Sequence, residues 1–465
     1  MASFSEFQTR LARWFNPRAR LAVPAYGLYH YLRESADGKM RLHLRLEPDG
    51  RGLLMANAAR AYHLNPSAAL MAYLHLEGHP PQEALRILSG WFAASPNQLR
   101  ADYGDLCEQI EQIGDPAGGC PLCEMDLEME MPFSSKPSAP YRMDCALTYR
   151  CNNDCTHCYN VRSRAPQEMT TAEWKQTLDH LWKIGVPHIV FTGGEPTLRP
   201  DLPELIAHAE RNGQITGMNT NGRRLKDPAF VQALVDAGLD HVQITLESHD
   251  EAIHDHLVAH PGAWRETVAG LRNALASRLF VMTNTTLLRE NSPHLAETMR
   301  FLGDLRVPTV GFNALIYSGR GVSVGTGLHE SDLPPLLDIV RDATDRSGQR
   351  LIWYTPTQYC HFDPLEADLG LKGCTAARYA MCTEPDGSVL PCQSYYTPLG
   401  HILRDSWDSI WNHDLALSLR ERRNLDAACR SCELLETCGG GCPLAYQANP
   451  DLRPHPLNTL QSEVR

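Results

Sequence analysis

The chain has 465 residues, 43 % of them hydrophobic, enough for two to four domains with ordinary globular cores. A formal net charge of −12 gives a nucleic-acid partner no electrostatic support. The first twenty residues are interrupted by Arg10, Arg13, Arg18 and Arg20 and lack the apolar core of a secretory signal, and no stretch reaches the ~20 apolar residues of a membrane helix. These features predict a cytoplasmic protein without a membrane partner, in which the 15 cysteines stay reduced and serve as metal ligands before disulfides.

Residues 20–113 read as a first domain. Arg41-Leu42-His43-Leu44-Arg45-Leu46 alternates polar and apolar, the pattern of a half-buried strand. After a turn at Glu47–Gly52, residues 52–57 and 60–65 read as two more strands. Asn65 and Pro66 suit the cap and first position of a helix whose apolar face carries Leu70, Tyr73 and Leu74. Residues 81–91, with Leu85, Ile87, Leu88 and Trp91, and residues 101–113 read as two more helices, while Cys107 is expected to be a buried, unreactive thiol, as is Cys145. Strands followed by small helices, with Ala-Tyr-His-Leu-Asn-Pro entering the first long helix, resemble the PqqD-like chaperone of pyrroloquinoline quinone synthesis, a winged-helix-like peptide-recognition domain. The resemblance implies a leader peptide added as a strand to a sheet edge. The alternative is a winged-helix scaffold with no ligand.

Residues 114–140 read as a linker rich in Gly, Pro and acidic residues, containing the pair Cys120 and Cys123. From 141 to 325 strands and helices alternate. Strands are predicted at 144–148, 188–192, 215–220, 241–246, 280–285 and 309–313, and helices at 171–184, 202–212, 228–237, 264–277 and 294–302. This spacing predicts an α/β fold with a parallel sheet and right-handed crossovers.

Just after the first of these strands stand Cys151, Cys155 and Cys158, spaced C-x3-C-x2-C, and just after the second stands Gly193-Gly194-Glu195-Pro196. A cubane iron–sulfur cluster normally takes four cysteines, so three on one loop leave an iron open. The alternative for the loop is a zinc site, whose usual C-x2-C pairs this run does not match. The two motifs together resemble the radical S-adenosylmethionine (SAM) family and its partial (β/α)6 TIM-like barrel, which places both at the carboxyl ends of strands. The resemblance implies that a [4Fe-4S] cluster on the three cysteines binds SAM, that Gly193, Gly194 and Glu195 contact SAM, and that His157 and Tyr159 border the adenine. It further implies that Asn221, Gln243, Thr245, Glu247 and Asn284 line the SAM and substrate cavity, although each is equally readable as a locally satisfied polar residue.

A probable strand at 349–353 leads into a second cysteine set within 349–450. Cys374, Gly387 and Cys392 run C-x12-G-x4-C, with a hairpin turn at Pro385-Asp386-Gly387, and Cys429, Cys432, Cys438 and Cys442 run C-x2-C-x5-C-x3-C. This resembles the SPASM extension of radical SAM enzymes, which carries two auxiliary iron–sulfur clusters. The resemblance implies that Cys374, Cys392 and Cys442 hold the first, with Cys360 or Cys382 as fourth ligand, and that Cys429, Cys432 and Cys438 hold the second. No cysteine follows Cys442, so the family's last ligand is missing. Three completions stay open: an open iron, an oxygen or nitrogen ligand such as Asp451 or His455, or a linker thiolate from Cys120 or Cys123, which the otherwise unexplained pair favours.

Together the three parts imply a maturase of a ribosomally made peptide. Such an enzyme takes electrons from a flavodoxin- or ferredoxin-type reductant, cleaves SAM to a 5′-deoxyadenosyl radical and abstracts hydrogen from the substrate. A Cys thioether is the favoured product. Formylglycine-type oxidation, carbon–carbon cross-linking, a small-molecule substrate and a non-catalytic iron–sulfur electron carrier are the alternatives.

Overall fold

A computed structural model describes residues 24–35, 38–57, 60–113, 137–160, 167–423, 425–449 and 453–454. The chain divides into one unit of residues 1–138 with 182–187, and a second of residues 139–181 and 188–465.

In the first unit β1 (Gly27–Ser35), β2 (Gly38–Leu46), β3 (Gly52–Ala56) and β4 (Arg60–Leu64) form an antiparallel meander in chain order. Three helices follow: α1 (Pro66–Leu76), α2 (Pro81–Trp91) and α3 (Pro96–Ile113). Asn65 caps α1 as expected, its Oδ1 accepting from Ala68 N at 2.9 Å, with Pro66 in the first helical position. The core joins Leu42, Leu44, Leu54 and Leu64 of the sheet to Leu74, Leu88, Leu99 and Ile110 of the helices.

Four expectations change here. The sequence reading missed β1, which pairs with β2 along its whole length. Strand β2 is buried on both faces rather than one, since Arg41, His43 and Arg45 are 2 %, 0 % and 2 % exposed. Arg45 tolerates this because its Nε pairs with Glu47 at 2.8 Å and its Nη1 donates to Gly185 O at 3.0 Å. On α1 the fully buried positions are Ala69, Met71, Ala72 and Leu74, with Leu70 and Tyr73 only partly covered. Cys107 is likewise half-buried rather than buried.

In the second unit seven parallel strands lie side by side: β5 (Arg142–Thr148), β6 (His188–Gly193), β7 (Ile215–Thr220), β8 (His241–Thr245), β9 (Phe280–Thr286), β10 (Thr309–Asn313) and β11 (Arg350–Trp353). The intervening helices are α4 (Thr171–Lys183), α5 (Leu202–Asn212), α6 (Pro228–Asp236), α7 (Glu251–Leu257), α8 (Ala263–Leu275), α9 (Leu295–Asp304) and α10 (Pro334–Ser347). β12 (Ala380–Thr383) adds to the free side of β5 in parallel, and β13 (Ser388–Leu390) and β14 (Gly400–His401) continue antiparallel from it. The sheet thus runs β11-β10-β9-β8-β7-β6-β5-β12-β13-β14, an open barrel wall whose ends do not pair with each other. The cysteine-rich C-terminal region joins the barrel's own sheet through β12. The turn between β12 and β13 is the expected one, with Gly387 at φ +88°.

Side chains alternate across this wall. Val242, Ile244, Val281 and Thr283 are buried, whereas Gln243, Thr245, Met282 and Asn284 keep some exposure. One face is dry and covered by helices; the other is polar and reachable. At the strands' amino ends His188 and His241 meet with their Nε2 atoms 2.9 Å apart. They fit because β7 has Gly217 between them, where a Cβ would lie 2.1 Å from the His241 ring. No helix among the described residues is long and apolar enough to cross a membrane.

Candidate functional site

The loop bearing Cys151, Cys155 and Cys158 leaves the carboxyl end of β5, and Gly194-Glu195-Pro196 leaves the carboxyl end of β6 beside it. Gly194 N donates to Thr148 O at 2.6 Å, Glu195 N to Arg150 O at 2.9 Å, and Asn160 Nδ2 to Gly193 O at 2.6 Å. Glycine is required for this approach. Gly193 sits at φ +132°, and a Cβ on Gly194 would lie 2.4 Å from Arg150 O and 2.7 Å from Tyr149 O. Glu195 is 1 % exposed. Its Oε1 accepts from Thr197 N, Thr197 Oγ1 and Thr220 Oγ1, and its Oε2 from Asn221 N at 2.8 Å. Burial raises its pKa against the pull of these donors. Glu195 therefore acts as an internal hub that ties the end of β6 to the end of β7.

Residues that the sequence reading did not single out hold the rest of the loop. Arg223 Nη1 donates to Asn152 O and, at 2.8 Å, to Asn153 Oδ1, while its Nε pairs with Glu266 at 2.6 Å. Arg320 Nη1 donates to Asp154 O at 2.7 Å and Cys155 O at 3.2 Å, and its backbone N to Cys158 O at 2.9 Å. Gly319 lets that turn in, since a Cβ there would lie 2.6 Å from both Cys158 O and Tyr159 O. Asp154 N and Thr156 N donate to Val258 O and Leu257 O at the end of α7. Two arginines thus face a loop that would carry an anionic cluster. Their long-range partners left no local sequence signal.

Among the expected SAM residues, Asn221 Nδ2 donates to Asn152 Oδ1 at 2.6 Å, so Asn221 lies directly against the cysteine loop. His157 Nε2 stands 3.0 Å from Glu247 Oε1, and Glu247 Oε2 accepts from Thr286 N at 3.0 Å. Burial lowers the His157 pKa, but Glu247 and Glu290 raise it more. Thr245 and Asn284 are neighbours across β8 and β9 on the reachable face. Asn284 Nδ2 donates to Asn313 Oδ1 at 2.8 Å, while Asn284 Oδ1 and His157 Nδ1 have no hydrogen-bond partner among the described residues. Orphaned polar atoms beside the motif loops fit a polar ligand such as SAM. Tyr159 turns to the C-terminal region, its hydroxyl donating to Gln393 Oε1 at 3.1 Å, next to Cys392.

The C-terminal cysteines separate into two groups. Burial, then Cys392, pushes the Cys374 thiol up to about 11; burial, then Cys442 among the neighbouring thiols, pushes Cys392 up to about 12; burial, then Cys374, pushes Cys442 up to about 12. These three are mutual neighbours. Cys429 is pushed up to about 12 by burial, then Cys438, then Cys360, with Cys432 further down the order. Cys382 is 1 % exposed in a small apolar cluster with Ala146, Tyr149 and Leu390. Cys145 is fully buried, with its pKa raised by burial. Cys120, Cys123, Asp451 and His455 lie outside the described residues. Among the described residues no three His, Cys, Asp or Glu side chains converge as a single ion requires. Sets made of thiols alone are the donors that iron–sulfur clusters take.

Residues 146–302 match the radical SAM superfamily, and residues 374–433 match the SPASM iron–sulfur cluster-binding domain. The chain belongs to the radical SAM superfamily, in its SPASM-bearing branch, and its cofactors are SAM and iron–sulfur clusters. It is 31 % identical over 326 residues to the mycofactocin maturase MftC of Mycobacterium tuberculosis, covering 67 % of this chain and 81 % of that one. It is 29 % identical to the PqqA peptide cyclase of Gluconobacter oxydans, over 66 % of this chain and 86 % of that one. It is also 26 % identical to an AdoMet-dependent heme synthase of Methanosarcina barkeri, over 68 % of this chain and 94 % of that one. In fold it is similar to Streptococcus suis SuiB bound to its precursor peptide SuiA, with a TM-score of 0.66 at 16 % identity over 90 % of this chain and 97 % of that one.

Proposed function

We propose that the chain is a maturase of a ribosomally made peptide, which it holds by a leader segment and cross-links through a cysteine sulfur. The observation that carries the peptide reading is the N-terminal unit. The heme synthase relative is matched over nearly its whole length and still leaves about a third of this chain without a counterpart. The four-stranded meander and three helices need a task of their own, and a sheet ending in β1, with Tyr26 and Leu32 60 % and 43 % exposed, suits an added peptide strand. In this reading residues 20–113 recognise the leader, 114–140 link, 141–325 form the catalytic barrel and 349–450 hold the auxiliary clusters.

When bound, the cluster of Cys151, Cys155 and Cys158 with SAM supplies hydrogen-atom abstraction from an unactivated C–H bond, the electron coming from a flavodoxin- or ferredoxin-type donor. The chain's own residues position and shield. Glu195 fixes the backbone of Asn221 and Thr197. Glu247 orients the His157 ring. Gln243, Thr245 and Asn284 offer the cavity its polar face. A thioether removes one hydrogen from carbon and a proton from sulfur, leaving one electron to be taken up, which a further iron–sulfur cluster can do.

The test is mass spectrometry of a cysteine-containing precursor peptide encoded beside the enzyme, after incubation with the reconstituted protein, SAM and reductant. Loss of two hydrogens together with one alkylatable thiol supports the thioether. Loss of the thiol with gain of a carbonyl points to formylglycine-type oxidation, and SAM cleavage with the peptide unchanged overturns the peptide reading. No SAM cleavage by a fully iron-loaded protein leaves the electron carrier.

A further inference from the structure

We propose that Cys360 supplies the fourth thiolate of the second auxiliary cluster, together with Cys429, Cys432 and Cys438. This rests on the reading that the C-terminal cysteines hold two clusters, and it removes Cys360 from the first of them. The segment before Cys360 is bound to the Cys438 end of the tail by contacts on consecutive residues. Cys438 Sγ lies 3.7 Å from Thr357 O, and Tyr359 N donates to Cys438 Sγ at 3.4 Å. Gln358 packs so close to Gly441 that a Cβ there would lie 2.4 Å from Gln358 Cγ. From the other side Glu330 Oε2 accepts from Gln358 N at 3.3 Å and pairs with His361 Nδ1 at 3.1 Å.

The remaining thiols close the arrangement. A Cβ on Gly440 would lie 3.9 Å from Cys429 Sγ, which puts Cys429 beside the same Gly439–Gly441 turn. The residues leading into Cys360, the Cys438 sulfur and the Cys429 sulfur thus gather at one turn. Cys382 does not compete for the place, because its Sγ lies 3.7 Å from Thr383 O inside an apolar cluster near Cys392. Cys374, Cys392 and Cys442 would then hold the first cluster by three thiolates.

The test uses the full-length chain carrying Cys151→Ala, Cys155→Ala and Cys158→Ala, reconstituted anaerobically and read by iron counting, Mössbauer and electron paramagnetic resonance spectroscopy. The parent is expected to hold about eight irons. Adding Cys360→Ala should give, on mild oxidation, a three-iron signal additional to any the parent shows, and lower the iron by about one to four per chain. Cys360→Ser, which keeps an oxygen ligand and covers the case in which the Ala variant fails to fold, should retain four irons at that site with altered Mössbauer parameters. A folded Cys360→Ala or Cys360→Ser protein with the parent's spectra overturns the proposal. So does the new signal arising from Cys120→Ala/Cys123→Ala or Cys382→Ala instead. A parent with no iron refutes the two-cluster reading itself, and it does so before Cys360 is touched.

Discussion

Gly194→Ala is the sharpest perturbation of the site. The new Cβ would stand 2.4 Å from Arg150 O, 2.7 Å from Tyr149 O and 2.8 Å from Tyr149 C, all backbone atoms that no rotamer change can move. Relief to ordinary contact at about 3.4 Å needs a shift of about 1 Å in the segment that leads into Cys151. The strain costs about 1–3 kcal/mol of stability. A misplacement of ~1 Å next to reacting groups costs ~10²-fold in rate. The assay is chromatographic detection of 5′-deoxyadenosine and methionine from SAM and dithionite, at matched iron content. Gly104→Ala is the control: it lies exposed within α3 with nothing within 4 Å of the new Cβ, and should cleave SAM normally while gaining about 0.5–1 kcal/mol. A fully iron-loaded Gly194→Ala protein that cleaves SAM at the wild-type rate refutes the argument that this approach of the two loops sets the site.

Glu195→Gln puts an amide where the carboxylate accepts from four donors, so one N–H faces another; a loss of about 1–3 kcal/mol in urea unfolding and a raised KM for SAM are expected, and an unchanged midpoint refutes the hub. His241 has its pKa pushed down to about 4 by burial and secondarily by Arg142, so the unfolded chain takes up the proton first and stability falls as pH drops below about 6.5. Going from pH 7.5 to 5.5 should cost about 1.4 kcal/mol at this site, read from urea midpoints, and His241→Gln should remove that part of the slope; an identical slope refutes it. Arg320→Ala frees two loop carbonyls at a half-exposed position, worth about 1 kcal/mol after screening, so a chelator should strip iron from the Cys151 loop roughly fivefold faster. Equal stripping rates would show that the loop needs no such cap.

The strands of the parallel wall were legible because buried parallel strands are short apolar runs between longer helical patterns; β7 and β10 fall at the predicted residues. What failed had local reasons. β1 mixes tyrosine, histidine and arginine with leucine, and its strand character comes from pairing with β2. α7 is under two turns long and depends on the Asp250 cap and on His254, whose Nδ1 accepts from Glu247 N, rather than on an apolar period. The polar face of β2 reads as solvent-facing because nothing in its own sequence reports the partners that Arg45 finds at Glu47 and Gly185. The motifs placed Cys151, Gly194 and Glu195 correctly at strand ends, but Cys360 carried no spacing signal toward Cys438; only the fold brings its neighbour Tyr359 against the Cys438 sulfur.

The cysteine loop explains why the clamps stayed hidden. Apart from the turn in which Cys158 N donates to Cys155 O at 3.3 Å, it has no ladder of its own, so its backbone groups turn to partners elsewhere. Thr148 O and Arg150 O are taken by Gly194 and Glu195 after β6, and Asn152 O by Arg223 after β7. Asp154 N and Thr156 N are taken by Val258 and Leu257 at the end of α7, and Asp154 O, Cys155 O and Cys158 O by Arg320 after β10. These partners come from the ends of four different strand–helix units, so the spacing of the three thiols depends on the assembled wall and not on the loop alone. A substitution that loosens any one of those strand ends should therefore lower iron retention at Cys151, Cys155 and Cys158 before it lowers the helical content of the chain. Circular dichroism recorded during iron release would show helix loss leading if the loop held its shape alone.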